Sequence, residues 1–183
     1  MADEYENCLG QIVQIEKETF SDAWSIESLR ETLKYDYNMI IAVFFDSTGC
    51  GDGYVSVQTR MYRQGQIIHM KENIVNLALG ITFSNQCVGY IVASFVAGES
   101  ELLRIATKEG QRGCGIGKML LEYYLEYLNS HDCRGLLEVR QSNLVAIGLY
   151  EKYGYKDFAK RRLYYKAPEE DGIIYEYVPK NNR

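Results

Sequence analysis

The feature that most constrains this chain is the run Arg112-Gly113-Cys114-Gly115-Ile116-Gly117-Lys118. Before it, Glu101–Thr107 reads as a strand. After it, Ile116–Asn129 carries Leu120, Leu121, Tyr124, Leu125 and Leu128 on one side and reads as a long amphipathic helix. A glycine-rich turn between a strand and a helix leaves successive backbone N–H groups unshielded. They converge on one anion at the helix N-terminus, where the helix dipole also favours negative charge. Two common phosphate loops fail on spacing. A P-loop requires glycine at 112 and a hydroxyl at 119, where Arg112 and Met119 stand. The dinucleotide fingerprint begun at Gly113 requires glycine at 118, and Lys118 stands there.

The rest of the chain supplies an α/β (α+β) framework for this cradle. Leu9, Ile12, Val13 and Ile15 give Glu6–Thr19 close to helical spacing. Ser21-Asp22 break that helix, and a short second one begins at Ser25. The unbroken apolar run Met39–Phe45 reads as a buried strand, and Cys87–Val96 and Gly135–Arg140 as further strands. Asn143–Tyr153 reads as a helix with Asn143 as its cap and Gly154 as its stop. Lys156–Tyr165 and Ile173–Val178 close the chain as an antiparallel pair. The expected architecture is one domain, residues 1–183, with a mixed central sheet flanked by helices. About 40 residues, 46–86, interrupt this order, far more than the roughly 2–5 of a hairpin loop. Val55, Val57, Ile67, Ile68, Ile74, Val75, Leu77 and Leu79 make an ordered excursion the expectation there, packed beside an acceptor groove or against a second subunit.

Composition excludes several functions. Twenty Lys and Arg against 25 Asp and Glu give a net charge of −5, the wrong sign for tracking a phosphate backbone, so no direct nucleic-acid partner is expected. No run approaches the ~20 apolar residues of a membrane helix, and the acidic start Met1-Ala2-Asp3-Glu4 is unlike a secretory signal. Five scattered cysteines without a C-x-x-C pair fit reduced thiols and a cytoplasmic location rather than a disulfide framework or a zinc site. His69 and His131 are the only histidines, and neither H-E-x-x-H nor G-x-S-x-G occurs. No metal is expected.

The loop has the form [Q/R]-x-x-G-x-[G/A] and resembles the pyrophosphate loop of the GCN5-related N-acetyltransferase superfamily. About 20 residues on, Leu136-Leu137-Glu138-Val139-Arg140-Gln141-Ser142-Asn143 runs into Leu144-Val145-Ala146-Ile147-Gly148-Leu149-Tyr150 and ends at Gly154-Tyr155. This stretch resembles the signature of the ribosomal-protein-alanine N-acetyltransferases within that superfamily. Leu103–Thr107, Phe20–Ser25 and Arg161–Tyr165 resemble further segments of it, so the likeness covers roughly Glu6–Phe45 and Cys87–Val178 and omits the insertion. It implies acetyl-CoA as cosubstrate, with Ile105, Ala106 and Thr107 against its pantetheine. Arg112, Gly113, Cys114, Gly115, Ile116, Gly117 and Lys118 would hold its pyrophosphate, and Asn143 would contact it too. It implies Glu138 as general base and Tyr150 as general acid. The implied acceptor is the alanine N-terminus of small-subunit ribosomal protein S-eighteen, a basic peptide. The likeness also implies a strand before the first helix, for which Met1–Tyr5 is too short and acidic.

These residue types suit the chemistry. An α-amino group titrates near 7.7–8.0 and a lysine near 10.4, so a carboxylate can deprotonate the former at neutral pH. A phenol near 10 can protonate a leaving thiolate where an ionised carboxylate cannot. Each residue also has a plainer reading. Glu138 can pair with Arg140 or another surface residue, and Tyr150 can be one of 16 tyrosines in a core. Cys114 is either an acetyl-accepting thiol or an incidental small residue. Lys160-Arg161-Arg162 is either an anion contact or a solvated strand edge, and Trp24 and Tyr164-Tyr165 either pack or border a peptide groove. Two other functions compete: acetylation of a small amine such as a polyamine or aminoglycoside, favoured by the insertion, and non-catalytic acyl-CoA binding.

Overall fold

The computed structural model describes residues 2–47, 54–76 and 84–179. In chain order these form α1 (Ala2–Thr19), α2 (Ile26–Leu33), β1 (Asn38–Asp46), β2 (Tyr54–Arg63), β3 (Gln66–Asn76), β4 (Gln86–Val96) and β5 (Glu99–Thr107). A 3-10 turn (Glu109–Gln111), α3 (Ile116–Ser130), β6 (Arg134–Arg140), α4 (Leu144–Lys152), β7 (Lys156–Lys166) and β8 (Glu169–Tyr177) follow. The eight strands lie in one sheet in the order β3-β2-β1-β4-β5-β6-β8-β7. β5 and β6 run parallel, while β1–β2, β2–β3, β6–β8 and β7–β8 are antiparallel. The mixed sheet with flanking helices is the architecture expected from the sequence. None of the described helices is long and apolar enough to cross a membrane.

Contacts divide the chain into two compact units, Met1–Val92 with Arg104–Leu121, and Ala93–Leu103 with Glu122–Arg183. In the first, α1 buries Cys8, Leu9, Ile12, Val13 and Ile15, and β1 is buried through its apolar run Met39–Phe45. The acidic N-terminal residues are the first turn of α1, where Asp3 and Glu4 sit at the positive end of the helix dipole. β2 pairs with the outer edge of β1, from Ile40↔Tyr62 to Asp46↔Ser56.

The excursion at 46–86 is thus ordered where it is described: a β2–β3 hairpin that extends the sheet. Its two-residue turn, Gln64-Gly65, has φ of 47° and 74°, the doubly positive pattern that matches strand twist. The apolar residues Leu77 and Leu79 lie outside the described residues. Arg60 anchors the hairpin. It is 7% exposed and stacks 4.3 Å from the Phe44 ring, and it donates to Glu4 at 2.8 Å and to Asn85 at 3.0 Å.

In the second unit α4 begins at its expected cap: the Asn143 carboxamide oxygen accepts from the Ala146 N–H at 3.2 Å. Tyr150, Tyr155 and Tyr177 line a buried aromatic row, with ring centroids 5.8 and 5.5 Å apart. The β5–β6 ladder joins Glu99–Leu102 to Arg134–Leu137 and ends there, although β5 runs on to Thr107 and β6 to Arg140.

Candidate active site

The expected site residues fall in both units, Ile105–Thr107 and Arg112–Lys118 in the first and Glu138, Asn143 and Tyr150 in the second. The loop has the form its sequence demands. Arg112 closes the 3-10 turn, its N–H reaching the Glu109 carbonyl at 3.2 Å and its guanidinium the Thr19 hydroxyl at 3.3 Å. Gly113 and Gly115 then adopt φ of 77° and 81°, a left-handed backbone that side chains disfavour. A Cβ added at either would meet nothing within 4 Å, so the space over the loop is open. The first helical bond of α3 runs from the Met119 N–H to the Gly115 carbonyl at 3.0 Å. The amides of Ile116, Gly117 and Lys118 precede it and have no acceptor within the helix. Open space over two positive-φ glycines and a helix N-terminus together fit a diphosphate.

Ile116 is buried while Cys114 and Lys118 are exposed, so the helix is seated from below and accessible from above. Gly89 on β4 provides that seat. A Cβ there would stand 2.7 Å from Ile116 Cγ2, 3.0 Å from the Ala106 carbonyl oxygen and 3.1 Å from Leu120 Cδ1. Ala106 is buried, with Ile105 and Thr107 half-buried, in the part of β5 beyond the ladder to β6. A strand off its ladder can offer main-chain N–H and C=O groups to an extended ligand.

A second feature of this unit was not apparent in the sequence. Glu16 on α1 is fully buried; its carboxylate accepts from the Trp24 N–H at 2.8 Å and from the Tyr90 hydroxyl. Arg104 on β5 stacks on Phe20 and Trp24, at 4.6 and 5.0 Å, and pairs with Asp22 at 3.0 Å. The connection between α1 and α2 is therefore held by a buried acid at one end and a stacked guanidinium at the other. Trp24 packs on that guanidinium. Gln111 is also buried, and its carboxamide oxygen has no hydrogen-bond partner.

In the second unit Glu138 projects from β6 with 17% of its side chain exposed. Its partner is Arg161 on β7, at 3.2 Å, and not Arg140, which pairs with Glu170 at 2.7 Å and stacks 4.1 Å over Tyr165. Burial raises the Glu138 carboxyl above the ordinary carboxylate range; Arg161 and a hydrogen bond from Tyr165 oppose this, and Glu101 adds to it. Tyr165 in turn is pushed up to about 12, by burial first and the nearby Glu138 second. Tyr150 is 4% exposed, and burial raises its phenol, so it stays protonated at neutral pH. Asn143, seven residues earlier, is exposed at the helix cap. The two therefore differ in environment despite their helical spacing.

The basic run at Lys160–Arg162 is not simply solvated. Lys160 binds Asp171 and Gln141, each at 2.8 Å, and Arg161 binds Glu138. β7 gains two residues against β8 between Arg161↔Gly172 and Tyr165↔Glu170. Leu163 in that bulge takes φ of 50°, its N–H held by Asp171 at 2.8 Å.

Comparison with known proteins gives this geometry a context. The sequence profile of the acetyltransferase (GNAT) family matches residues 9–155. A [ribosomal protein bS18]-alanine N-acetyltransferase of Salmonella typhimurium is 36% identical over 101 residues, which span 54% of this chain and 68% of the relative. Its Escherichia coli counterpart is 34% identical over 97 residues, 51% and 66% of the two chains. Among solved structures, the ribosomal-protein-S18-alanine N-acetyltransferase of Escherichia coli superimposes with a TM-score of 0.63. The overlap covers 94% of this chain and 88% of that one at 22% identity. Ard1 from Thermoplasma volcanium gives 0.62 over 98% and 93%, at 17% identity. The matched profile and the Salmonella relative show the family: the chain belongs to the GNAT acetyltransferases.

Proposed function

We propose that this protein transfers the acetyl group of acetyl-CoA to the N-terminal amine of a protein, with residues 1–183 acting as one cytoplasmic catalytic domain. The alanine N-terminus of the small-subunit ribosomal protein named in its relatives is the acceptor we favour. The observation that carries the reading is the amide cradle of Gly113–Lys118, whose positive-φ glycines open onto free space. Its N–H groups and the Lys118 ammonium bind the diphosphate, and the backbone of Ile105–Thr107 aligns the pantetheine arm. Asn143 adds a polar contact from the cap of α4. When bound, the coenzyme supplies an activated thioester.

Glu138 takes the proton from the acceptor's ammonium at its carboxylate, leaving a neutral amine free to attack. Its raised proton affinity suits it to an α-amine better than to a lysine, because proton transfer is most favourable between matched groups. Tyr150, kept protonated by burial, donates from its hydroxyl to the departing sulfur. A main-chain N–H near Ala106-Thr107 stabilises the oxyanion. The test is incubation with acetyl-CoA and a basic peptide beginning with alanine. Release of free thiol with acetylation of the peptide's α-amine is expected. Turnover of a polyamine or aminoglycoside but not of the peptide overturns the acceptor assignment. Absence of coenzyme binding by calorimetry overturns the reading altogether.

A further inference from the structure

Among the described residues, Glu138 is ion-paired with a cation from β7. β7 is exposed along most of its length, and Arg161 is itself 54% exposed, yet its guanidinium reaches inward to Oε2 of Glu138 at 3.2 Å. Three other elements bound the carboxylate. From β7, the nearby Tyr165 lowers its proton affinity; from β5, Glu101 raises it. From β8, Gly172 packs flat against it, since a Cβ there would lie 3.2 Å from both Cδ and Oε1. On its own strand, Arg140 is committed to Glu170 and to the backbone carbonyls of Ala167 and Pro168. Arg161 is therefore the guanidinium ion-paired with this carboxylate. It is aimed by a built feature, because it is the last residue paired before the bulge at 162–164 that Asp171 pins.

We propose that Arg161 is the positioning residue for Glu138, anchoring the carboxylate as proton acceptor through their ion pair across β7 and β6. The proposal rests on the reading of Glu138 as base. A carboxylate walled by Gly172 and faced by Glu101 favours its neutral form, and a neutral carboxyl cannot accept the acceptor's proton. The pair with Arg161 counters both effects. It also holds Oε2, so the carboxylate is fixed in place when it receives the proton from the ammonium nitrogen. The proton is the only species transferred in that step, and the amine keeps its electron pair for attack.

The experiment uses the full chain with acetyl-CoA and a peptide beginning with alanine, and follows thiol release from pH 5.5 to 9.5. In Arg161→Gln the acid limb of kcat/KM is expected to move up by about half to one pH unit. The rate then falls about fivefold near pH 6 and returns to within about twofold of wild type above pH 8.5. Arg161→Lys, which keeps the charge, is expected to restore most of the shift. A uniform loss at every pH, with the limb unmoved, overturns the proposal by giving Arg161 a merely structural role. Carboxyl-carbon NMR of Glu138, assigned by its disappearance in Glu138→Gln, reads the same titration without turnover. An unchanged titration in Arg161→Gln overturns the proposal even if no acceptor is turned over. Wild-type turnover by Glu138→Gln removes the base reading itself, whatever Arg161→Gln does.

Discussion

At the scale of single residues, Glu138 and Gly115 carry the sharpest expectations. The Glu138 carboxyl is raised by burial, so its folded value lies above its unfolded one. Its ionisation therefore costs stability, a cost absent below the unfolded pKa and complete once the pH passes the folded pKa. Glu138→Gln should melt no lower than wild type at pH 7 while losing turnover by about a hundredfold. A clear drop in melting temperature would show that the pair with Arg161 stabilises the fold after all. Gly115 holds φ of 81° over open space, so alanine there strains the backbone by about 1–2 kcal/mol. Acetyl-CoA affinity in Gly115→Ala, measured by calorimetry, should fall about tenfold. The glycine spacing of this loop was legible in sequence because backbone geometry restricts which residues can stand there. The partner of Glu138 was not. Arg140 lies two residues away in sequence, whereas Arg161 arrives only through pairing of β8 with both β6 and β7.

At the scale of elements, the helices and most strands follow from local pattern. α2 starts at the Ser25 cap, where the hydroxyl accepts from the Ser28 N–H at 3.2 Å. β1 coincides with its apolar run. Packing between elements is less visible, and Gly89 shows why. In sequence it is a lone glycine in a strand; in space it is where Ile116 and Leu120 of α3 press on β4. Gly89→Ala cannot relax freely, since the Ala106 carbonyl beside it is backbone. A loss of about 1–3 kcal/mol is expected in a denaturant melt, accompanied by weaker coenzyme binding because the helix carrying the cradle is displaced. Stability lost with coenzyme affinity intact would separate the seat of α3 from the loop. The connection between α1 and α2 teaches the same lesson. Its aromatic residues stand out in sequence, but the Glu16 and Arg104 that hold it are ordinary charges until the fold brings them there.

At the scale of the whole chain, the excursion expected at 46–86 supplies a further pair of strands, β2 and β3. Its hairpin covers the outer edge of β1, an edge that would otherwise offer unpaired N–H and C=O groups for aggregation. Arg60 ties it to Glu4 and Asn85. Because Glu4 is partly exposed, screening reduces what the ion pair contributes, yet the buried guanidinium's hydrogen bonds remain. Arg60→Met should therefore cost about 1–3 kcal/mol and speed hydrogen exchange through β2 and β3, as mass spectrometry would read it. Unchanged protection would mean that β1 pairing alone holds the hairpin. The sequence by itself determined the order of helices and strands outside 46–86 and the glycine-rich turn before α3, because propensity, periodicity and glycine placement act over neighbouring residues. Only the tertiary structure decided that the insertion extends the sheet, that Gly89 seats α3 and that Arg161 faces Glu138. Those outcomes depend on strand register and close packing between segments far apart in the chain, which local chemistry does not encode.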